Sequence, residues 1–282
     1  MIENKAIAEC IHVVIAYSKT VQDAELGTLP CIFYIHGGCR YGGTPYTGYL
    51  ERAREWATYF NAIAVSVDYR LSPSELDESP TGEEPTNDCF NALTWIYHQL
   101  GANEDDILKS LGDLYGLVLE APQLDDRCNT QSHKKFKKGN MFTSEDALQG
   151  WNASLGTRRG TENVSIYESP ARASDADVQG FPPSYIDVGT AEPFRDEAEN
   201  FCNTLRKARV DVEMNSWEGG YHGFFTAVPD APISQLCNLA KLKWLCQRLG
   251  VQDKNIEKDY NEVKKAYDAR HGRRSKKEGL VA

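Results

Sequence analysis

Residues 31–43 have the sequence CIFYIHGGCRYGG, and this stretch decides the fold class. Its first five residues, 31–35, are apolar or aromatic and run without a break into His36, Gly37 and Gly38. A short, unbroken apolar run that ends in glycine is typical of a fully buried parallel strand. Ligands bind at the carboxyl ends of such strands in open α/β sheets. The backbone N–H groups of a glycine loop there suit an oxygen that becomes negative during a reaction.

The rest of the chain alternates between apolar runs and helical spacings. The predicted strands are 11–17, 31–35, 62–69, 116–122, 183–189 and 212–217. The predicted helices are 49–60, 87–100, 196–210 and 234–249. We expect Asn87 to cap the second helix. Strands that alternate with helices indicate an α/β protein with a doubly wound, mostly parallel sheet.

Three loops that follow predicted strands carry a resemblance to a known family. They are His36-Gly37-Gly38-Cys39, GTAEPFRDE at 189–197 and Tyr221-His222-Gly223-Phe224. Together they resemble the hormone-sensitive-lipase-like esterases, the branch of the α/β-hydrolase fold with an HGGG-type motif. The segment Asp68-Tyr69-Arg70-Leu71-Ser72-Pro73 is similar to the DYRLAP segment of the same branch, and we expect Asp68 and Arg70 to form ion pairs rather than to act as catalysts. The resemblance covers residues 31 to about 250.

The resemblance implies a role for five residues. Gly37, Gly38 and Cys39 correspond to the oxyanion hole, Glu192 to the acid of the catalytic triad and His222 to its base. Cys39 departs from the family pattern, which has glycine there. A cysteine keeps its backbone N–H, but a positive φ at this position would cost more than in glycine.

The nucleophile of the triad is missing from the sequence. The family carries a Gly-x-Ser-x-Gly elbow between the helix at 87–100 and the strand at 116–122, and no such motif occurs in the 282 residues. Only residues 101–115 lie between those two elements. A strand, elbow and crossover helix need about 30 residues. We therefore predict an α/β-hydrolase fold that lacks its central strand–elbow–helix unit.

Three interpretations of the gap stay open at this point. The chain is a degenerate hydrolase of low or absent activity, or Cys39 or Ser110 serves as a substitute nucleophile, or the chain is a non-catalytic ligand-binding protein that keeps the pocket. The resemblance implies that the parent activity is hydrolysis of small acyl esters, such as esters of secondary metabolites. Without the central unit, we expect the strands 31–35 and 116–122 to pair directly and the fold to be marginally stable.

Composition excludes several classes of function. The net charge is −10 and no basic stripe runs along the chain, which argues against a nucleic-acid partner. The eight cysteines are scattered without metal-ligand spacing, so we expect no metal or cofactor and a reducing, cytoplasmic compartment. No apolar stretch is long enough to span a membrane. The expected partner is a small-molecule ester.

The predicted organisation is one hydrolase domain followed by a tail. The domain comprises residues 1–251, with a polar lid over the site at 128–165. Residues 252–282 hold nine Lys or Arg and six Asp or Glu, a net charge of +3. Their apolar residues fall at helical spacing, which predicts a solvated helix with a frayed basic end.

Overall fold

The structure is a computed structural model that describes residues 2–8, 11–17, 29–46, 49–72, 82–99 and 114–278. These residues divide into two compact units. The first unit contains residues up to 113 together with 125–128 and 145–172, and the second contains 114–124, 129–144 and the chain from 173 onward. Each unit is described by itself. The predicted lid is divided between them, and the single-domain organisation stays a prediction.

The first unit is built on a sheet of four strands in the order β1-β2-β4-β3. The strands are β1 (Ile2–Ala8), β2 (Ile11–Ala16), β3 (Cys31–Ile35) and β4 (Ile63–Asp68). β3 and β4 are parallel, whereas β2 runs antiparallel to both of its neighbours. Helices α1 (Tyr49–Tyr59) and α2 (Glu84–Gln99) pack on this sheet. Helix α4 (Ser144–Leu155) also lies almost wholly in this unit.

Valine and isoleucine form the core of the first unit, because their branched side chains pack well on a pleated surface. Val13 of β2 and Val65 and Val67 of β4 are buried together with Ala92 of α2. Arg70, at the end of β4, donates two side-chain hydrogen bonds to the buried carboxylate of Asp88 at 2.9 and 2.7 Å. Arg70 is thus an ion-pair residue, but its partner lies on α2.

The second unit is built on a parallel sheet of three strands in the order β5-β6-β7. The strands are β5 (Leu117–Glu120), β6 (Ser184–Gly189) and β7 (Val212–Trp217). The helices are α3 (Gln131–Lys135), α5 (Arg195–Lys207), α6 (Phe224–Ala227), α7 (Pro232–Arg248) and α8 (Lys254–Glu278). Tyr185 of β6 and Trp244 of α7 form a buried cluster, with Tyr260 of α8 against it. The charged tail is therefore helical from Lys254.

Two expectations about the predicted strand at 31–35 are wrong. β3 and β5 do not pair: within the described residues β3 pairs with β4, β5 pairs with β6, and the strands belong to separate sheets. β3 is also not fully buried, since Ile35 is 51% exposed. β3 is the last strand of its sheet, so neighbouring strands cover its side chains from one side only.

No helix in the described part of the chain has the length and apolarity needed to cross a membrane.

Candidate active site

The loops that follow β6 and β7 are joined by backbone hydrogen bonds. The Thr190 N–H donates to the Trp217 carbonyl and the Ala191 N–H donates to the Gly220 carbonyl, both at 2.9 Å. A side chain at Gly189 is excluded, because a Cβ there would lie 2.0 Å from the Gly220 oxygen. This close approach holds the two loops in fixed register.

The structure brings together Glu192 and His222, one from each of these loops. His222 Nδ1 lies 2.7 Å from Glu192 Oε2, and the Gly189 N–H donates to Glu192 Oε1 at 2.7 Å. Glu192 is fully buried, whereas the His222 side chain is 27% exposed. A carboxylate that accepts from Nδ1–H leaves Nε2 as the basic nitrogen of the ring. The geometry is that of an acid–base pair, and its catalytic role stays a prediction.

Two phenylalanines enclose the His222 ring. The Phe142 ring centroid lies 4.7 Å from that of His222, and the Phe194 ring meets it edge-on at 5.2 Å. Phe142 belongs to the part of the predicted lid that lies in the second unit. The sequence predicts no role for either residue. Phe194 could have been suspected from its place in the loop 189–197, but nothing in the polar sequence around Phe142 points to His222.

The predicted oxyanion loop follows β3 in the first unit. Its turn is closed by hydrogen bonds from the Tyr41 N–H (3.2 Å) and the Gly42 N–H (2.9 Å) to the Gly38 carbonyl. Gly38 has a φ of 128°, and a Cβ there would lie 2.0 Å from the Gly42 oxygen. Cys39 has a φ of 53°, in the left-handed region that glycine adopts freely. Cysteine instead of glycine at position 39 therefore lowers the free energy of unfolding by about 1–2 kcal/mol.

His36 has an architectural role at the start of this loop. Its buried ring stacks on Tyr69 with a centroid distance of 4.2 Å, and the Tyr69 hydroxyl donates to the His36 carbonyl at 2.8 Å. Burial lowers the pKa of His36, against the opposing effects of a hydrogen bond with the Gly37 carbonyl and of Asp68. The imidazole is thus neutral near pH 7 and fixes the end of β3.

Neither candidate for a substitute nucleophile gains support. Burial raises the pKa of the Cys39 thiol to about 11, so that it is protonated at neutral pH. A thiol in that state is a poor nucleophile, because the thiolate is the reactive form. Ser110 lies outside the described residues, as do residues 101–113 of the stretch 101–115 in which the elbow was expected.

The five predicted site residues divide between the units. Gly37, Gly38 and Cys39 lie in the first unit, and Glu192 and His222 lie in the second. Within each unit the predicted loop follows the carboxyl end of a parallel strand. Their convergence at one site stays a prediction.

A substitution at Gly38 tests the strained loop. Gly38→Ala is expected to lower the free energy of unfolding by about 2–4 kcal/mol, because alanine disfavours this φ and its Cβ meets backbone. Gly42→Ala is the matched control, since a Cβ there comes no closer than 3.6 Å to the Gly38 oxygen. Urea unfolding would measure both. Equal effects of the two substitutions would contradict the loop geometry.

Comparison with known proteins identifies the family. A profile described as alpha/beta hydrolase fold matches residues 32–110 and 106–226. The chain therefore belongs to the α/β-hydrolase fold family, and the family and fold class predicted from the sequence are confirmed. The two matched segments meet at 106–110, inside the stretch where the elbow was expected.

Individual relatives agree with this assignment. A carboxylesterase of Mycobacterium tuberculosis is 26% identical over 241 residues, which span 76% of this chain and 73% of the relative. An alpha/beta hydrolase of Acanthamoeba polyphaga mimivirus is 25% identical over 227 residues, 71% of this chain. The match spans 62% of the viral protein's length. Among solved structures, a bacterial heroin esterase has a TM-score of 0.69 at 26% identity, covering 89% of this chain and 80% of that chain.

Proposed function

We propose that this chain is a carboxylic-ester hydrolase by descent, with an intact acid–base pair and with slow or absent ester hydrolysis of its own. The observation that carries the proposal is the 2.7 Å contact between His222 and Glu192, at the positions that the family resemblance gives to the triad base and acid. The esterase names of the relatives support the reaction class. The absence of Gly-x-Ser-x-Gly supports the low rate.

The pair supports proton transfer even without a serine. His222 Nε2 accepts a proton from a water molecule while the water oxygen attacks the ester carbonyl carbon. Glu192 stabilises the imidazolium, and the N–H groups of the glycine loop are the proposed donors to the oxyanion. When the carbon–oxygen bond to the alcohol breaks, the leaving oxygen takes the proton from His222. The products are a carboxylic acid and an alcohol, and no covalent intermediate accelerates the reaction.

Hydrolysis of p-nitrophenyl acetate tests this proposal. We expect turnover far below the about 1–10³ s⁻¹ of ordinary enzymes, yet up to about 10³–10⁴-fold above the uncatalysed rate. His222→Ala is expected to remove most of that residual rate. His98→Ala is the control for unspecific imidazole catalysis, because His98 is an exposed histidine on α2. Turnover at an ordinary enzyme rate that His222→Ala abolishes would show a substitute nucleophile and contradict the proposed low activity.

A second candidate function is ligand binding without turnover. It is favoured by the combination of a preserved Glu192–His222 pair with the missing Gly-x-Ser-x-Gly motif. A ligand that binds only the folded state raises the melting temperature, and the stabilisation grows with the logarithm of the ligand concentration relative to Kd. Stabilisation by a non-hydrolysable ketone analogue of a small ester, without turnover of the ester, would favour the binding protein. Turnover without stabilisation would favour the enzyme.

A further inference from the structure

A basic loop in the second unit begins with the last two residues of α3 and continues beyond that helix. Residues 134–141 have the sequence KKFKKGNM, with four lysines in five positions on a chain of net charge −10. All four lysines are exposed, and Met141 is 73% exposed. Phe136 is half-buried, with Lys135 Nζ 5.1 Å from its ring centroid. The loop thus presents positive charge and apolar surface together.

The loop is anchored next to the Glu192–His222 pair. At its end, Asn140 Nδ2 donates to the Ala191 carbonyl at 2.5 Å, one residue before Glu192. The Phe142 ring then contacts the His222 ring in a tilted arrangement. At its start, the Ser132 N–H donates to Asp196 at 2.7 Å and the Ser132 hydroxyl donates to the Pro193 carbonyl at 2.6 Å. Both ends are therefore tied to the loop that carries the predicted triad acid.

We infer that residues 134–141 dock this protein on an anionic lipid surface. Clustered lysines bind negatively charged headgroups, and an exposed apolar side chain adds insertion at the boundary with the acyl chains. Outside this loop, residues 1–251 are strongly acidic and are repelled by the same surface, so within this part of the chain the attraction comes from the loop and orients it. Charges are screened beyond about 8–10 Å at physiological salt, so the partner must be in contact with the loop.

A nucleic acid fits this loop less well. Binding of single strands uses aromatic side chains on which several bases stack, along a basic groove. The described loop offers one phenylalanine, and that ring is half-buried. A lipid surface at the loop would bring membrane-dissolved esters to His222, a consequence that rests on the proposed function. The docking itself requires no turnover.

Co-sedimentation with lipid vesicles tests the inference. The full chain is mixed with vesicles of phosphatidylcholine alone or of equimolar phosphatidylcholine and phosphatidylserine. We expect partition onto the anionic vesicles only, and release by high salt. Each lysine near an anionic surface strengthens partition about fivefold, so Lys134→Gln with Lys137→Gln is expected to weaken it about 30-fold. Adding Met141→Ser to this double variant is expected to weaken partition further, without changing how partition depends on salt.

The matched control removes the same charge elsewhere. Lys264 and Lys265 are exposed on α8, and Lys264→Gln with Lys265→Gln is expected to leave partition within about twofold of wild type. Equal losses in the two double variants would overturn the inference, as would no binding of wild type to anionic vesicles. Retention on RNA with none on vesicles would overturn it too. The assay reads no hydrolysis, so its failure is distinguishable from failure of the proposed function.

Discussion

Inserting a strand, a Gly-x-Ser-x-Gly elbow and a helix between Gly101 and Gly116 is expected to raise ester hydrolysis by about 10³-fold or more. The serine would give His222 a hydroxyl to deprotonate, and an acyl-enzyme route divides one difficult step into two easier steps. Loss of the nucleophile costs other serine hydrolases about 10⁶-fold in kcat. Initial rates with p-nitrophenyl acetate would measure the gain.

The matched control is the same insertion with alanine in place of the serine. It supplies the strand and the helix but no nucleophile, so its rate is expected to stay at the level of the unmodified chain. His222→Ala in the serine-bearing insertion is expected to abolish the gain. A rate that rises equally with serine and with alanine would contradict a triad built on Glu192 and His222.

The insertion is also expected to stabilise the protein. No strand in the described ranges pairs with the second edge of β3 or with the second edge of β5. Each buried N–H or C=O without a partner costs about 1–3 kcal/mol, against 5–15 kcal/mol for the stability of a whole domain. A strand that pairs with these edges would supply partners, so both insertions should raise the urea midpoint. An unmodified chain as stable as the inserted one, with one cooperative transition, would contradict the missing central unit.

β3 was predictable because its sequence, CIFYI, is an unbroken run of apolar and aromatic residues. The observed bounds of β3 (Cys31–Ile35) and β7 (Val212–Trp217) are those that the sequence predicts. β1 was missed, because Glu3 and Lys5 interrupt its apolar residues and its pairing partner decides its conformation. The predicted Asn87 cap is wrong. Helix α2 begins at Glu84 because Pro85, in its first turn, favours a helix start and lacks an N–H that would go unpaired there.

The candidate site was predictable only where it follows strands. Glu192 and His222 stand in loops directly after β6 and β7, and neighbouring parallel strands bring such loops together. Phe142 reaches His222 from a distant polar segment, and no local pattern marks that contact. The position of β3 and β5 in separate sheets was not predicted either. Direct pairing was expected, because it would have satisfied the backbone groups of both strands.

A buried lysine on α7 holds the parallel sheet of the second unit together. Lys241 Nζ lies 2.5 Å from Glu120 Oε1 on β5 and 3.3 Å from Asp187 Oδ2 on β6, and the Lys241 side chain is fully buried. Glu120 and Asp187 are register partners in the sheet. The Cys237 thiol donates a further hydrogen bond to Asp187 Oδ2 at 3.2 Å. One ammonium group therefore faces two carboxylates that the strand pairing forces together.

Lys241→Met is expected to lower the free energy of unfolding by about 3–5 kcal/mol at neutral pH. The free energy of unfolding falls because the two carboxylates stay in place without the positive charge that neutralises them. Lys243→Met is the matched control on the same helix. Lys243 pairs with Glu257 on the surface, so its loss is expected to cost no more than about 1 kcal/mol. Urea unfolding of both variants would measure the difference, and equal costs would contradict a buried charge cluster.

The cost of Lys241→Met is expected to shrink as the pH falls. Burial raises the pKa of Asp187 above its ordinary value of 3.8 and Glu120 raises it further, whereas Lys241 lowers it. Removing Lys241 therefore raises the Asp187 pKa in the folded protein still more. An acid with a raised folded-state pKa gives its full stability below the unfolded pKa, and that stability is lost as the pH rises through the folded pKa. The deficit of the variant should shrink as the pH falls toward the ordinary value of the Asp187 pKa, because protonation removes the unpaired charge of Asp187. Adding Asp187→Asn and Glu120→Gln to Lys241→Met should recover most of the stability at neutral pH and remove this pH dependence. A deficit that stays constant between pH 4 and pH 7 would show that lost packing, rather than unpaired charge, causes the effect.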